Sequence, residues 1–288
     1  MIKAAAIYLL SGILNSALPF LLLPVMTRYL QPSDYGTLAI FQVLLAFVVP
    51  IVGMNMQNNI SRNFAKISQD DMSRLIGVIC SILVVMALLL SCGAFVWAML
   101  GQGLLDMPAG LFVLLPVIAA CSVAFEFHQT VLRNQQKAGL YGWYQVGLML
   151  CNLVLSLLLV VGLGYGWLGR VSGIAVSVCC FGGAGIVALK RKGLLRIAYD
   201  RVLIKDVIKI SLPLVPHAIG GVIIAMSDRF FLDRMMSREI VGIYAVGYSF
   251  GMIVNIFVEA FSRSWSPWFY REMQATDEAC RRKIVRYT

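Results

Sequence analysis

The stretch LIGVICSILVVMALLLSCGAFVWAMLGQGLL, residues 75–105, contains no charged residue. A helix needs about 20 apolar residues to cross the hydrocarbon core of a bilayer, so this stretch crosses once with loop residues to spare. It holds no central turn signal that would fold it into a hairpin. Its apolar residues do not alternate with polar ones, which excludes a β-barrel strand. Seven more charge-free runs of 18 residues or longer flank it: 4–27, 35–61, 107–125, 138–169, 171–189, 210–227 and 240–258. Each reads as one membrane-spanning helix, so the expected fold is an all-α integral membrane protein of eight spans.

Composition agrees. The 288 residues are 60% hydrophobic and only 13% charged, whereas soluble domains run nearer 45–50% apolar and about 25% charged. An ordinary soluble enzyme is excluded, and so is a disordered chain, which needs low hydrophobicity and high charge. The net charge of +10 sits between apolar runs, so it points to the membrane surface and not to nucleic acid. The first run is too long for the apolar core of a signal peptide, which is about 7–15 residues, and reads as a retained span. With the N-terminus inside, nineteen of the 24 Lys and Arg residues fall on inner segments and five on outer ones. That bias sets both termini in the cytoplasm.

Six of the seven cysteines lie within apolar runs and read as packing residues; Cys280 lies in the basic tail and reads as a free thiol. No GxxxxGK[ST] phosphate loop, HExxH, CxxC or GxSxG motif occurs, so no catalytic residue, metal site or cofactor is expected. Three segments organise the chain: a six-span lobe over 1–189, a basic linker over 190–209, and a partial second lobe with a tail over 210–288. The turn at Gly162–Trp167 joins spans five and six. Span six carries Gly169, Gly173, Gly182, Gly183 and Gly185, and small residues let helix backbones approach closely.

A faint repeat links spans one and seven. Span one carries Pro19 and Pro24, then Thr27-Arg28-Tyr-Leu, then Ser33-Asp34-Tyr-Gly36. Span seven carries Pro213 and Pro216, then Asp228-Arg229-Phe-Phe-Leu232, then Ser237-Arg-Glu239 and Gly242. Proline-interrupted helices at matching places in two halves point to a transporter built from repeats.

Those residues carry a resemblance. Arg28-Tyr-Leu-Gln-Pro-Ser-Asp-Tyr-Gly36 resembles the first external loop of bacterial polysaccharide exporters. Leu212-Pro-Leu-Val-Pro-His217, Asp228-Arg-Phe-Phe-Leu232, Gly242-Ile-Tyr-Ala245 and Trp265-Ser-Pro267 resemble the start of their second lobe. The family is the Wzx-type O-antigen flippases, within the multidrug/oligosaccharidyl-lipid/polysaccharide exporters. The resemblance covers essentially the whole chain. It implies two six-helix lobes around a cavity, and a substrate of oligosaccharide linked to undecaprenyl pyrophosphate. It implies a bacterial inner-membrane location, with membrane lipids, a polysaccharide polymerase and a chain-length regulator as partners. The family usually has about twelve spans, so eight read as a truncated form.

Polar residues inside spans are costly in lipid and mark cavities or partners. Glu126, Thr130, Arg133 and Lys137 are spaced 4, 3 and 4, along one helical face. They read as an ion-coupling carboxylate beside cations for an anionic head group, or as a local salt bridge. His128 and Glu259 are further ion-coupling candidates; Glu259 precedes Arg263 at i,i+4, the favourable direction for an intrahelical pair. Asn55, Asn59 and Arg62 share a face suited to sugar hydroxyls and phosphate, or form a plain polar helix end. Asn15, Arg28, Arg133, His217 and Arg229 complete the substrate-binding candidates. Gln145 and Asn152 read as helix–helix hydrogen bonds.

The expected activity is therefore lipid-linked oligosaccharide flipping by alternating access. The alternatives are a cation or drug antiporter of the same superfamily and a non-functional remnant or assembly partner. A membrane polymerase or glycosyltransferase would want a large external loop or a carboxylate pair in a water-filled site, and the short outer loops argue against it.

Overall fold

The computed structural model describes residues 10, 12, 14, 20, 22–64, 66–100, 108–196, 199–252, 254 and 258. Met1–Ala245 form one compact unit and Val246–Thr288 a second. In the second unit the described residues 246–252, 254 and 258 are helical. The first unit holds a helical stretch α1 (22–29), then α2 (Pro32–Gly53), α3 (Gln57–Asn63), α4 (Gln69–Met99), α5 (Ala109–Asn134) and α6 (Ala138–Leu157). Next come a π-turn (Leu158–Gly162), α7 (Gly166–Arg191), α8 (Arg201–Ser211), α9 (Leu214–Met235) and α10 (238–245). No strand occurs among the described residues. Six stretches are long and apolar enough to cross a membrane: Pro32–Gly53, Gln69–Met99, Ala109–Asn134, Ala138–Gly162, Gly166–Arg191 and Arg201–Met235. They correspond to the second to seventh runs read from the sequence. The first run and the end of the eighth lie largely outside the described residues.

Helix starts follow local chemistry. Pro32 opens α2, where its missing N–H is an orphan position anyway, and the Asp34 carboxylate accepts from the Gln31 N–H at 3.1 Å. Ser68 caps α4, its Oγ accepting from the Asp71 N–H at 3.2 Å; Asp70 and Asp71 sit in the first turn, where the helix dipole favours negative charge. Asp200 caps α8, accepting from the N–H groups of Val202 and Leu203 at 3.0 and 3.1 Å.

One expectation is corrected. The run 35–61 is not a single helix. It breaks after Gly53, where Met54 (φ 45°) and Asn55 (φ 52°) turn left-handed. Asn tolerates that conformation and Met does not. Tertiary contacts hold it: Met54 and Met56 are buried in the core, and Asn55 Nδ2 reaches the Leu214 carbonyl at 3.5 Å. The basic stretch 190–209 is helical in its second half. It ends in α8, whose Leu203, Ile204, Val207 and Ile208 face the core. Upstream, the Arg196 N–H donates to the Ser73 carbonyl at 3.1 Å.

The centre of the unit is α5. Its first half, through Leu115 and Ile118, joins a cluster with Leu22, Met26, Phe41, Met149 and Val241. Its second half, through Ala119, Val123, Phe127 and Val131, joins a cluster with Ile60, Ile76, Ile79, Leu189 and Val207. The glycines of α7 make close approach possible on two sides. A Cβ on Gly169 would lie 2.9 Å from the Leu159 carbonyl, and one on Gly173 would lie 2.7 Å from Ser156 Oγ. One on Gly182 would lie 2.5 Å from the Cys121 carbonyl oxygen, and one on Gly185 would lie 2.9 Å from His128 Cβ. These contacts are with α5, α6 and the π-turn, so the small residues of α7 serve packing.

Candidate functional site

Polar groups gather at two places within this packing. The first is the basic end of the bundle, where α3, the start of α4 and α8 meet. Asn59 is fully buried, and its Nδ2 donates to Ser211 Oγ at 2.7 Å, while its Oδ1 has no partner among the described residues. Asn55 lies one turn away against the Leu214 carbonyl. Thus two amides, Asn55 in the turn before α3 and Asn59 on it, fasten this part of the bundle to the α8–α9 junction, about 150 residues on. Arg62 lines a cavity of about 750 Å³ beside Asn59, together with Lys66, Asp206 and Lys209.

The second is a half-buried cluster between α6 and α7. The Arg170 guanidinium donates to Ser156 Oγ at 2.5 Å and to Asn152 Oδ1. Among the described residues no carboxylate pairs with Arg170. Sequence reading counted this arginine only as an outer charge. Asn152 and Ser156, four residues apart on one helix and a short turn away from Arg170, were the available signal.

The remaining candidates are placed as follows. Arg133 donates to Thr130 Oγ1 at 3.0 Å and meets Glu126 at 4.0 Å, both side chains about half exposed. His128 is buried 4.4 Å from the Tyr144 ring, with neither ring nitrogen partnered among the described residues. Gln129 donates to Gln145 Oε1 at 2.9 Å. His217 lies exposed on α9, and Arg28 is exposed at the end of α1. The Arg229 backbone N–H donates to Asp228 Oδ1 at 2.8 Å. Asn15 and Glu259 lie outside the described residues. The fold therefore joins Asn55, Asn59 and Arg62 at one place, and Glu126 and Arg133 at another. It leaves His217, Arg28 and Arg229 elsewhere. No group of three or more His, Cys, Asp or Glu able to hold a metal occurs among the described residues.

The two motif segments of the repeat meet directly. Within the second segment, Tyr244 donates its hydroxyl to Asp228 Oδ2. A Cβ on Gly36 would overlap the Arg238 carbonyl, and one on Gly242 would overlap the Pro32 carbonyl. Beside them Arg238 Nε pairs with Asp233 at 2.6 Å. Matching glycines of the two repeats thus form a backbone-to-backbone crossing of α2 and α10.

A family model described as polysaccharide biosynthesis protein matches residues 1–273. The chain belongs to the polysaccharide biosynthesis protein family. Two relatives come from Haemophilus influenzae. A protein named for the Lsg locus is 23% identical over 94% of this chain and 66% of its own length. An uncharacterized membrane protein is 21% identical over 95% and 66%. The chain thus spans just under two thirds of the curated relatives it matches. Among solved structures, an outward-facing multidrug resistance MATE transporter of the MOP superfamily superposes with a TM-score of 0.54. It is 15% identical over 86% of this chain and 63% of that one. A MOP-superfamily transporter from Pyrococcus furiosus, described as having a binding pocket of reverse polarity, gives 0.50 at 13% identity, over 96% and 72%. This member of the polysaccharide biosynthesis family therefore has the fold of MOP-type membrane transporters.

Proposed function

We propose that this protein moves an oligosaccharide linked to undecaprenyl pyrophosphate across the bacterial inner membrane, by alternating access between two lobes, for O-antigen or other surface polysaccharide. The observation that carries this reading is the family match over residues 1–273. The physics supports it. A pyrophosphate and many hydroxyls cannot enter lipid unpaired, because each bare polar group costs several kcal/mol. Amides and arginines along a protected path replace that water.

In this reading Asn55, Asn59 and Arg62 receive the head group at the basic, cytoplasmic end, and Arg133 joins them from the end of α5, where its neighbour Asn134 donates to Ser61 Oγ at 3.3 Å. Arg28 and Arg229 receive it at the outer end. Glu126, with His128 and Glu259, couples transport to an ion gradient; Asn15 and His217 line the path. Both termini are cytoplasmic, and the protein works beside a polymerase and a chain-length regulator.

Complementation tests the reading. The 288-residue chain, and separately the same chain extended to the end of its reading frame, are expressed in a strain lacking its O-antigen flippase, together with the native sugar cluster. Surface polysaccharide on a gel is the readout. Restoration by either form is the expected outcome. Failure of both, with the protein present in the membrane, refutes flippase activity.

A further inference from the structure

A second cavity at the basic end, of about 500 Å³, is built by two helix ends of the same design. At the end of α5 the Lys137 N–H bonds the Leu132 carbonyl at 3.0 Å and the Gln136 N–H bonds the Arg133 carbonyl at 2.9 Å. Gln136 is left-handed at φ 56°. At the end of α7 the Leu194 N–H bonds the Leu189 carbonyl at 3.0 Å and the Gly193 N–H bonds the Lys190 carbonyl at 3.0 Å, with Gly193 at φ 68°. Both are Schellman turns, six-to-one and five-to-two bonds around a left-handed residue. They stop two packed helices and deliver Lys137 and Lys192 to one cavity.

The charges in it do not balance. Lys137, Lys192, Gln69 and Gln135 supply its polar lining, and no carboxylate lines it. Neither lysine has an ion pair among the described residues. Partial burial draws the Lys192 ammonium below its ordinary pKa, and the Lys137 charge adds to the effect. Lys137 is also the N-cap of α6, which has no side-chain cap, so the positive end of that helix dipole lies at the same edge. Gln135 Oε1 is buried without a partner among the described residues and accepts only from a donor. The rest of the wall is apolar: Phe64, Ile67, Met72 and Leu194.

We propose that this cavity binds the headgroup of an anionic phospholipid carrying free hydroxyls, as phosphatidylglycerol does. The phosphate lies between the Lys137 and Lys192 ammoniums. A headgroup hydroxyl donates to Gln135 Oε1, and the glycerol backbone and upper acyl carbons rest on Phe64, Ile67, Met72 and Leu194. A bound lipid would tie together the ends of α3, α5 and α7 and the start of α4. The site shares only Ile67 with the Asn59–Arg62 cavity, and it stands whether or not that cavity takes the transported substrate.

The test uses the full chain in nanodiscs of phosphatidylcholine doped with phosphatidylglycerol, with co-purifying lipid counted by mass spectrometry. K137Q/K192Q is expected to lower phosphatidylglycerol retention roughly thirtyfold. R201Q/K205Q removes the same charge from the exposed side of α8 and is expected to retain it. Thermal unfolding in detergent should show K137Q/K192Q no less stable than the parent when lipid is absent, and no longer stabilised when phosphatidylglycerol is added. Q135L should reduce the preference for phosphatidylglycerol over phosphatidic acid. Equal retention by K137Q/K192Q, or equal loss in R201Q/K205Q, overturns the site. Displacement of phosphatidylglycerol by equimolar undecaprenyl diphosphate, through the same two lysines, assigns the cavity to the transported lipid and overturns the phospholipid reading.

Discussion

Helices α5 and α9 are both long, apolar and proline-containing, yet they live differently. α5 buries residues along its whole length, from Leu115 to Leu132. α9 buries none; Ile224 is 88% exposed and Met235 80%. Hydropathy does not separate them, since both are apolar enough to span a membrane. What separates them is the fit of neighbours. In a bilayer an exposed isoleucine costs nothing, because lipid solvates it as well as protein does, so association rests on close packing and buried polar bonds. α5 has both: glycines of α7 against its backbone, and Gln129 bonded to Gln145. α9 lies along α2, with Val215 and Leu232 against the two clusters, Asn55 at its start and Asp228 bonded to Tyr244.

The sharpest way to break this contrast is to add a side chain to each region. Gly182→Leu sets a Cβ 2.5 Å from the Cys121 backbone oxygen, and backbone cannot swing aside. It should cost about 3 kcal/mol, at the upper end of overpacking effects. Gly221 in α9 has open space around it, so Gly221→Leu should be neutral or stabilise by about 0.5–1 kcal/mol through helix propensity. Thermal unfolding in detergent reads both. Equal losses would mean that α9 is packed against something the contacts do not reveal.

Next in size is the polar cluster of α6 and α7. Asn152→Leu leaves the Arg170 guanidinium with one acceptor fewer in a half-buried place. Hydrogen bonds to charged groups contribute about 1.5–3 kcal/mol, and the loss should fall there. The double variant N152L/R170L should recover part of it, because removing the stranded charge also removes its desolvation cost. Strict additivity of the two changes would refute the coupling.

The same two helices show what a sequence can tell. Charge-free length located the six candidate spans in the described residues, because crossing a bilayer is a demand on length and polarity alone. The glycines of α7 announced close packing, since nothing else permits a backbone approach. The repeat around Gly36 and Gly242 marked two segments that do meet. The break at Met54–Asn55 was not legible, because a carbonyl 159 residues away holds it. The bond from Asn59 to Ser211 was hidden for the same reason. The bonds of Arg170 were not legible, because its partners lie across a turn. The Lys137–Lys192 cavity depends on two helix ends arriving side by side, which no spacing encodes. Asn59→Leu probes this hidden class directly. It should cost about 1–2 kcal/mol, the loss of one buried hydrogen bond with Ser211 left unsatisfied. Ser211→Ala should cost a similar amount, and a double-mutant cycle should show the two as one interaction.

The smallest stability effect is also the one that weighs most on mechanism. Glu126 and Arg133 are 4.0 Å apart and about half exposed, so Glu126→Gln should change stability by less than about 1 kcal/mol, as exposed ion pairs do. A carboxylate that only pairs locally can be lost without affecting transport. A carboxylate that carries a proton cannot, because glutamine holds the same shape but never ionises. Polysaccharide export by the Glu126→Gln form, measured while the proton gradient is collapsed with an uncoupler, separates the two. If Glu126 couples the gradient, E126Q should export as poorly with the gradient intact as the parent does with it collapsed. If export by E126Q matches the parent and remains sensitive to the uncoupler, the pair belongs to α5's own ledger of contacts, and coupling must reside in another group.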